Sequence, residues 1–180
     1  SASAQIQTAS RSDKASGDVV VSTGETASGF SSGSVTLQTS DSVGSSAGSI
    51  EIHAGQSASA PGAEVLIQAG DSTGAQGGTL SLISGAGVDG GDVSIESASG
   101  SSGEGGKVTI AAGEGVGAFA GGSVSLTGGQ STAEVGGEVA LIGGGSVTEN
   151  GGAVRVIGGA STNGEGGSLS LQSGSSMVGS

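Results

Sequence analysis

The stretch GGEVALIGGGSVTENGGAVRVIGG, residues 136–159, contains two copies of one phrase. In each copy a Gly-Gly pair precedes two aliphatic residues that are separated by one position, and glycine follows them. A spacing of two places both aliphatic side chains on one side of an extended chain. Glycine on either side favours tight corners. The stretch therefore predicts a short strand between two turns, repeated along the chain.

The phrase recurs through nearly all 180 residues. Its first branched residue, here called the anchor, is found at Val19, Val35, Ile50, Val65, Leu80, Val93, Val108, Val124, Val139, Val154 and Leu169, with Ala4 as an earlier, weaker anchor. From Ala4 onward the spacings are 15, 16, 15, 15, 15, 13, 15, 16, 15, 15 and 15. Such a fixed period is typical of repeat architectures. The chain therefore consists of about twelve phrases.

Residue types are uniform at each position of the phrase. A second aliphatic residue follows two positions after the anchor, a small residue four positions after it, and in most phrases glycine five positions after it. Ser or Thr often follows at position seven, as in Ser131, Ser146 and Ser161, and an apolar or small residue such as Val43, Val88, Val147 or Met177 at position eight. We interpret positions seven and eight as the opposite wall of a flattened coil.

This pattern predicts an all-β fold, a parallel β-solenoid (β-helix) of about twelve 15-residue coils with a flattened two-sided cross-section. Residues 1–180 would form a single repeat array, a segment of a longer array or filament. Phe30 and Phe119 fall in the two 16-residue phrases, where we expect them to cover gaps in a thin core. Two alternatives remain open: an antiparallel hairpin sandwich, and disorder, because Leu, Ile, Val and Phe total only 36 of 180 residues.

The charge balance argues against two classes of partner. The net charge is −12 with only four basic residues, so nothing attracts nucleic acid or anionic lipid. No apolar run is long enough to span a bilayer. With no cysteine, the chain has neither disulfides nor thiolate metal ligands. We therefore expect no nucleic acid partner and no membrane insertion.

Two surface features are candidate binding sites. Ile83, Ala111, Ile142 and Ile157 are apolar at a position predicted to face outward, and they are candidates for a lateral interface. Acidic residues gather just before the Gly-Gly corners, at Asp89, Glu104, Glu134, Glu149 and Glu165. These are weak candidates for calcium, since the calcium-binding nonapeptide of β-helices is absent, and solvated negative charge is the alternative. Scattered threonines make a flat ice-binding face a poorer hypothesis.

Signals for catalysis are weak. His53 is the single histidine, which excludes a multi-histidine metal site. The segment GSSGEGGK, residues 100–107, lacks the spacing of a phosphate loop and has Val108 where Ser or Thr is required. The carboxylate pair Asp89 and Asp92 has no basic or aromatic residues nearby in the sequence to hold a sugar. The sequence therefore predicts no enzyme, no catalytic residue and no cofactor, apart from the calcium alternative.

The phrases GGSVSLTGG (121–129), GGEVALIGGGS (136–146) and SGDVVVSTGETASG (16–29) resemble Gly/Ser-rich repeat arrays of large secreted proteins of diatoms and related algae. They are also similar to the repeat stalks of bacterial surface adhesins. The resemblance implies a structural role at an extracellular or cell-surface location, in a fibre or an adhesive rod. Because both ends of the predicted solenoid would have unpaired strand edges, we expect self-association, end to end or side by side. Extracellular matrix or polysaccharide is a further expected partner. A binding module, for calcium-dependent adhesion or for ice, is the alternative.

Overall fold

The structure, a computed structural model, describes residues 3–10 and 12–175. These residues form no helix and no β-strand. The prediction of a parallel β-solenoid is therefore wrong, because no hydrogen-bonded ladder joins successive phrases in the described part of the chain. Two compact units are present, Ser1–Gly91 and Asp92–Ser180, and both contain the same repeating element.

The repeating element consists of an arm, a neck and a loop. The arm is the five residues from the anchor onward, for example 65–69 or 139–143. The neck is a backbone hydrogen bond in which the glycine two positions before the next anchor donates its N–H to the carbonyl of the residue just after the arm. Seven consecutive phrases have this bond, with N···O distances of 2.8 to 3.0 Å: Gly78 to Gly70, Gly91 to Gly85, Gly106 to Ala98, Gly122 to Gly113, Gly137 to Gly129, Gly152 to Gly144 and Gly167 to Gly159.

Differences in phrase length are confined to the loops. The two neck residues are eight positions apart in five of the seven phrases, six apart in loop 85–91 and nine apart in loop 113–122. The corresponding anchor spacings are 15, 13 and 16. The segment from one neck glycine to the next neck carbonyl therefore keeps a constant length, and the loop absorbs every insertion and deletion.

Glycine and small residues permit the close approach at the neck. A Cβ on Gly128, Gly143 or Gly158 would collide with the carbonyl oxygen of the glycine across the neck. A Cβ on Gly137 would lie 2.9 Å from the Gly129 nitrogen. Since atoms this close must move apart, a side chain at these positions would shift the local backbone, and the other four closed phrases have alanine or serine at the end of the arm. We predicted tight corners there, but none of these glycines has a positive φ.

The first four phrases show what happens when the neck is bulkier. No neck hydrogen bond closes the loops after the arms at 4–8, 19–23, 35–39 and 50–54 within the described residues. Three of these arms end in threonine, and a Cβ on Gly33 would already lie 3.3 Å from the Thr23 Cγ2. In the fourth, Ala63 replaces the donor glycine. A larger side chain at the end of the arm, or in place of the donor glycine, therefore accompanies an open neck.

Each loop contains a local turn in place of the predicted opposite wall. Ser57, Ser72, Ser131, Ser146 and Ser161, all seven positions after an anchor, accept a backbone N–H from three residues ahead. Such serine turns compete with strand pairing because the side chain satisfies the backbone donor locally. Val43, Val88 and Val147, which we predicted to line the second wall, are fully exposed. Met177 lies outside the described residues.

No described residue is buried. The anchors are among the best covered of the large aliphatic side chains, with exposed fractions from 47% at Val108 to 62% at Val35 among those from Val19 to Leu169. The accessible surface totals 17736 Å² for 16.3 kDa. A folded monomer of this mass exposes about 7,500 Å². Each arm thus keeps most of its apolar surface in contact with solvent.

Candidate functional site

The arms present two sets of side chains in alternation. Side chains one and three positions after the anchor contact each other, as the extended backbone requires. Ser94 donates a hydrogen bond to Glu96 at 2.9 Å, and His53 lies 3.7 Å from a Glu51 carboxylate oxygen. The period-two geometry that the sequence predicted within each phrase is therefore present in these arms, although the arms do not pair into a sheet.

The proposed lateral interface falls at one position of the arm. Ile83, Ala111, Ile142 and Ile157 all lie three positions after an anchor, and all four are exposed. Ile83 belongs to the first unit, and the other three belong to the second. The anchors and the residues two positions after each anchor are also aliphatic, and they alternate with these four residues along the arm. Both sides of several arms are therefore apolar.

The acidic candidates for calcium lie in separate loops. Asp89, Glu104, Glu134, Glu149 and Glu165 each occupy the loop of a different phrase. The described part of the chain contains no group of three or more His, Asp or Glu side chains that is arranged to hold a metal ion. The structure therefore does not bring these five residues together, and calcium binding stays a prediction.

The serine turns fix the backbone of three acidic loops. Ser131 accepts the N–H of Glu134 at 2.8 Å, and Ser146 accepts the N–H of Glu149 at 3.0 Å. Ser161 accepts the N–H of Gly164, which precedes Glu165. The carboxylates therefore have equivalent positions in loops 129–137 and 144–152, and each of them faces solvent.

Residues that could have suggested catalysis are dispersed and exposed. His53 pairs only with Glu51, and both side chains are largely in solvent. Asp89 belongs to loop 85–91, whereas Asp92 follows the neck. Segment 100–107 extends from loop 98–106 across the neck donor Gly106 to Lys107. No cavity is found in the described structure that would enclose a substrate beside any of them.

Sequence reasoning placed the glycines correctly but missed the function of the neck. A small residue at the end of the arm opposite a Gly-Gly pair was a signal for close approach, but we predicted only tight corners there. The aromatic residues were also placed in the wrong environment. Phe30 and Phe119 are 78% and 82% exposed, so neither covers a gap in a core.

None of the described residues lies in a helix long and apolar enough to cross a lipid bilayer. Comparison with known proteins gives no assignment, because no family model, no curated protein and no solved structure matches the chain.

Proposed function

We propose that this chain is a structural scaffold, a repeat array that supplies length to an extracellular fibre or to a cell-surface layer. The observation that carries the proposal is the recurrence of the neck. Seven consecutive phrases close with the same hydrogen bond while their loops vary in length. In a repeat scaffold, function depends on the number of modules and not on the residues of any single module. Such a chain is expected to repeat the same hydrogen bond in each module.

The chemistry of the surface supports the same role. Arms with few charged residues alternate with loops that contain most of the acidic residues, and the pattern continues from phrase to phrase. Catalysis would require particular residues at one place, whereas the features of this chain are distributed evenly. The extracellular location rests on the resemblance of the phrases to secreted repeat arrays and is part of the proposal.

Phrase insertion tests the proposed role. Residues 139–153, one complete 15-residue phrase, would be duplicated two, four and eight times within the full chain. At a concentration where each chain is monomeric, small-angle scattering would measure the radius of gyration. A scaffold that supplies length is expected to grow by a constant increment per phrase. Growth as about the 0.6 power of chain length, as for an unfolded chain, would contradict the proposal.

Location is tested separately. Immunogold labelling of the cells that produce the chain is expected to place it outside the plasma membrane, in a fibre or surface layer. Labelling confined to the cell interior would overturn the extracellular part of the proposal.

A further inference from the structure

The arms have backbone groups without partners. In the described part of the chain, the backbone hydrogen bonds outside helices and strands are the seven necks and one turn, in which Phe30 donates to Ala27. None of them joins one arm to another. An extended segment with free N–H and C=O groups is equivalent to the unprotected edge of a sheet, which pairs readily with another chain.

The arms also have enough uncovered area for a stable contact. The accessible surface of 17736 Å² exceeds by about 10,000 Å² that of a folded chain of the same mass. A stable interface buries only about 1,200 to 2,000 Å² in total. A fraction of the surface of the arms, including the half-exposed anchors, is therefore sufficient.

Charge is distributed so that the arms can meet without burying it. Of the 16 acidic residues, only Glu51 and Glu96 lie within an arm, and Arg155 is the only Lys or Arg there. Ten lie in loops: Asp13, Glu25, Asp41, Asp71, Asp89, Glu104, Glu114, Glu134, Glu149 and Glu165. Burying an unpaired charge is costly, and contact along the arms avoids that cost at nearly every phrase.

The spacing of the arms identifies the partner. Anchor spacings of 15, 13, 15 and 16 residues follow one another from Val65 to Val124. A second copy of this chain, in the same direction, presents its arms at the same spacings and places loops of equal size beside each other. A partner without this series matches only one or two arms. We propose that the arms bind a second copy of the chain, side by side, parallel and in register.

This inference deepens the proposed function, on which it rests, by naming the partner that assembles the fibre. The acidic loops oppose the contact, because like charges are then brought next to each other in both copies. Salt weakens repulsion between exposed charges. Association is therefore expected to rise with ionic strength.

Sedimentation of the full chain tests the proposal. Over about 1 to 500 μM protein, we expect dimers and larger species whose apparent dissociation constant falls at least fivefold when sodium chloride is raised from about 10 to 500 mM. A chain that stays monomeric over this whole range in both salts would overturn the inference. The phrase-insertion experiment is done on monomers and does not depend on association. A negative result in one of the two experiments therefore leaves the other proposal standing.

A matched pair of variants assigns the contact to the arms. The arm variant replaces Val124 and Val139, both anchors, with serine, and the control replaces Val135 and Val147, both in loops, with serine. The arm variant is expected to weaken association at least tenfold and the control less than twofold. Equal effects would indicate unspecific apolar contact and would overturn the inference. The amide resonances of Gly137 and Gly152 report whether the necks survive in each variant.

Register is tested with one spin label. The chain has no cysteine, so Ser125→Cys gives a single attachment site, within the arm at 124–128. In parallel, in-register copies, equivalent residues lie about 4.8 Å apart. Spin exchange between stacked labels is then expected to collapse the three-line nitroxide spectrum to one line in the assembled material. A spectrum without exchange would contradict the parallel register.

Discussion

Gly152 donates its backbone N–H to the carbonyl oxygen of Gly144 at 2.8 Å, directly after Gly143, the last residue of the arm. A Cβ on Gly143 would occupy the place of the Gly152 carbonyl. Glycine here lets the two backbones approach more closely than a side chain would, although the neck bond also forms after arms that end in Ala69 or Ala112. The same relationship recurs at Gly128 with Gly137 and at Gly158 with Gly167.

Gly143→Thr is expected to open the neck of its loop, because the necks after the three arms that end in threonine are open. A hydrogen bond of this kind contributes about 1 kcal/mol net, so the closed population falls about fivefold. The temperature coefficient of the Gly152 amide shift should become that of a solvent-exposed N–H. Gly143→Ala is the matched control, because the necks after Ala69 and Ala112 are closed with a Cβ at the same position. An equal response of the two variants would rule out the steric explanation.

Ser146→Ala is expected to loosen the turn inside loop 144–152. The hydroxyl oxygen accepts the Glu149 N–H at 3.0 Å, and alanine leaves that donor to water. The Glu149 amide should exchange faster with solvent by a factor of about five, since a net hydrogen bond contributes about 1 kcal/mol. Ser146→Thr should restore slow exchange because its hydroxyl can make the same bond. An unchanged Glu149 amide in Ser146→Ala would exclude the serine turn.

Gly29→Val is expected to disrupt the turn between residues 26 and 30. Gly29 has a φ of 90°, a conformation that is strained for a β-branched residue. Two contacts report on it: Phe30 donates to the Ala27 carbonyl, and Thr26 donates to the Phe30 carbonyl. The Phe30 amide should lose its protection in Gly29→Val and retain part of it in Gly29→Asn, since asparagine tolerates positive φ better. Equal protection in both variants would contradict a conformational role for Gly29.

Deletion of Ala118 is expected to leave the neck of loop 113–122 intact. The neighbouring phrases already accommodate loops with neck separations of six and eight, so a separation of eight here should also close. The Gly122 amide should remain hydrogen-bonded. Deletion of Ser125, within the next arm, is the comparison: it removes the alternation of Val124 and Leu126 while leaving the loop unchanged. Loss of the Gly122 bond on deleting Ala118 would show that loop length is constrained.

Local features of the fold could be predicted from the sequence. The phase of the repeat, the extended arm and the glycine positions all follow from residues close together in the chain. The arm at 139–143 and its neck at Gly144 and Gly152 lie where the alternation and the Gly-Gly pair indicated. Such features depend on backbone sterics and on bonds between residues fewer than ten positions apart.

Stacking of the phrases could not be predicted in the same way. Pairing between phrases requires contacts across about 15 residues, supported by a buried core. Here each arm has only about two aliphatic residues on a side, and Val139 stays about half exposed. Serine at position seven supplied a hydroxyl that satisfies the loop internally, which we mistook for a second wall. The uniform period therefore showed that the phrase repeats along the chain. It did not show that the phrases stack into the β-solenoid that we predicted.

The candidate site was predicted only as a set of residue types. The acidic residues precede the Gly-Gly pairs in the sequence, and in the structure they occupy separate loops. Whether carboxylates converge depends on how phrases are placed relative to each other. Glu134 and Glu149 have equivalent turns in neighbouring loops, yet no metal-binding group forms among the described residues.

The neck also determines how the chain responds to a pulling force. Each closed loop shortens the path of the backbone, because the two neck residues are held together although eight positions separate them in most phrases. Opening one neck releases chain that extends by at most about 26 to 29 Å. One backbone hydrogen bond closes each neck, so tension would open loops singly and at low force. The chain then lengthens in steps and dissipates energy before any covalent bond is loaded, which is the behaviour of a tough, extensible material.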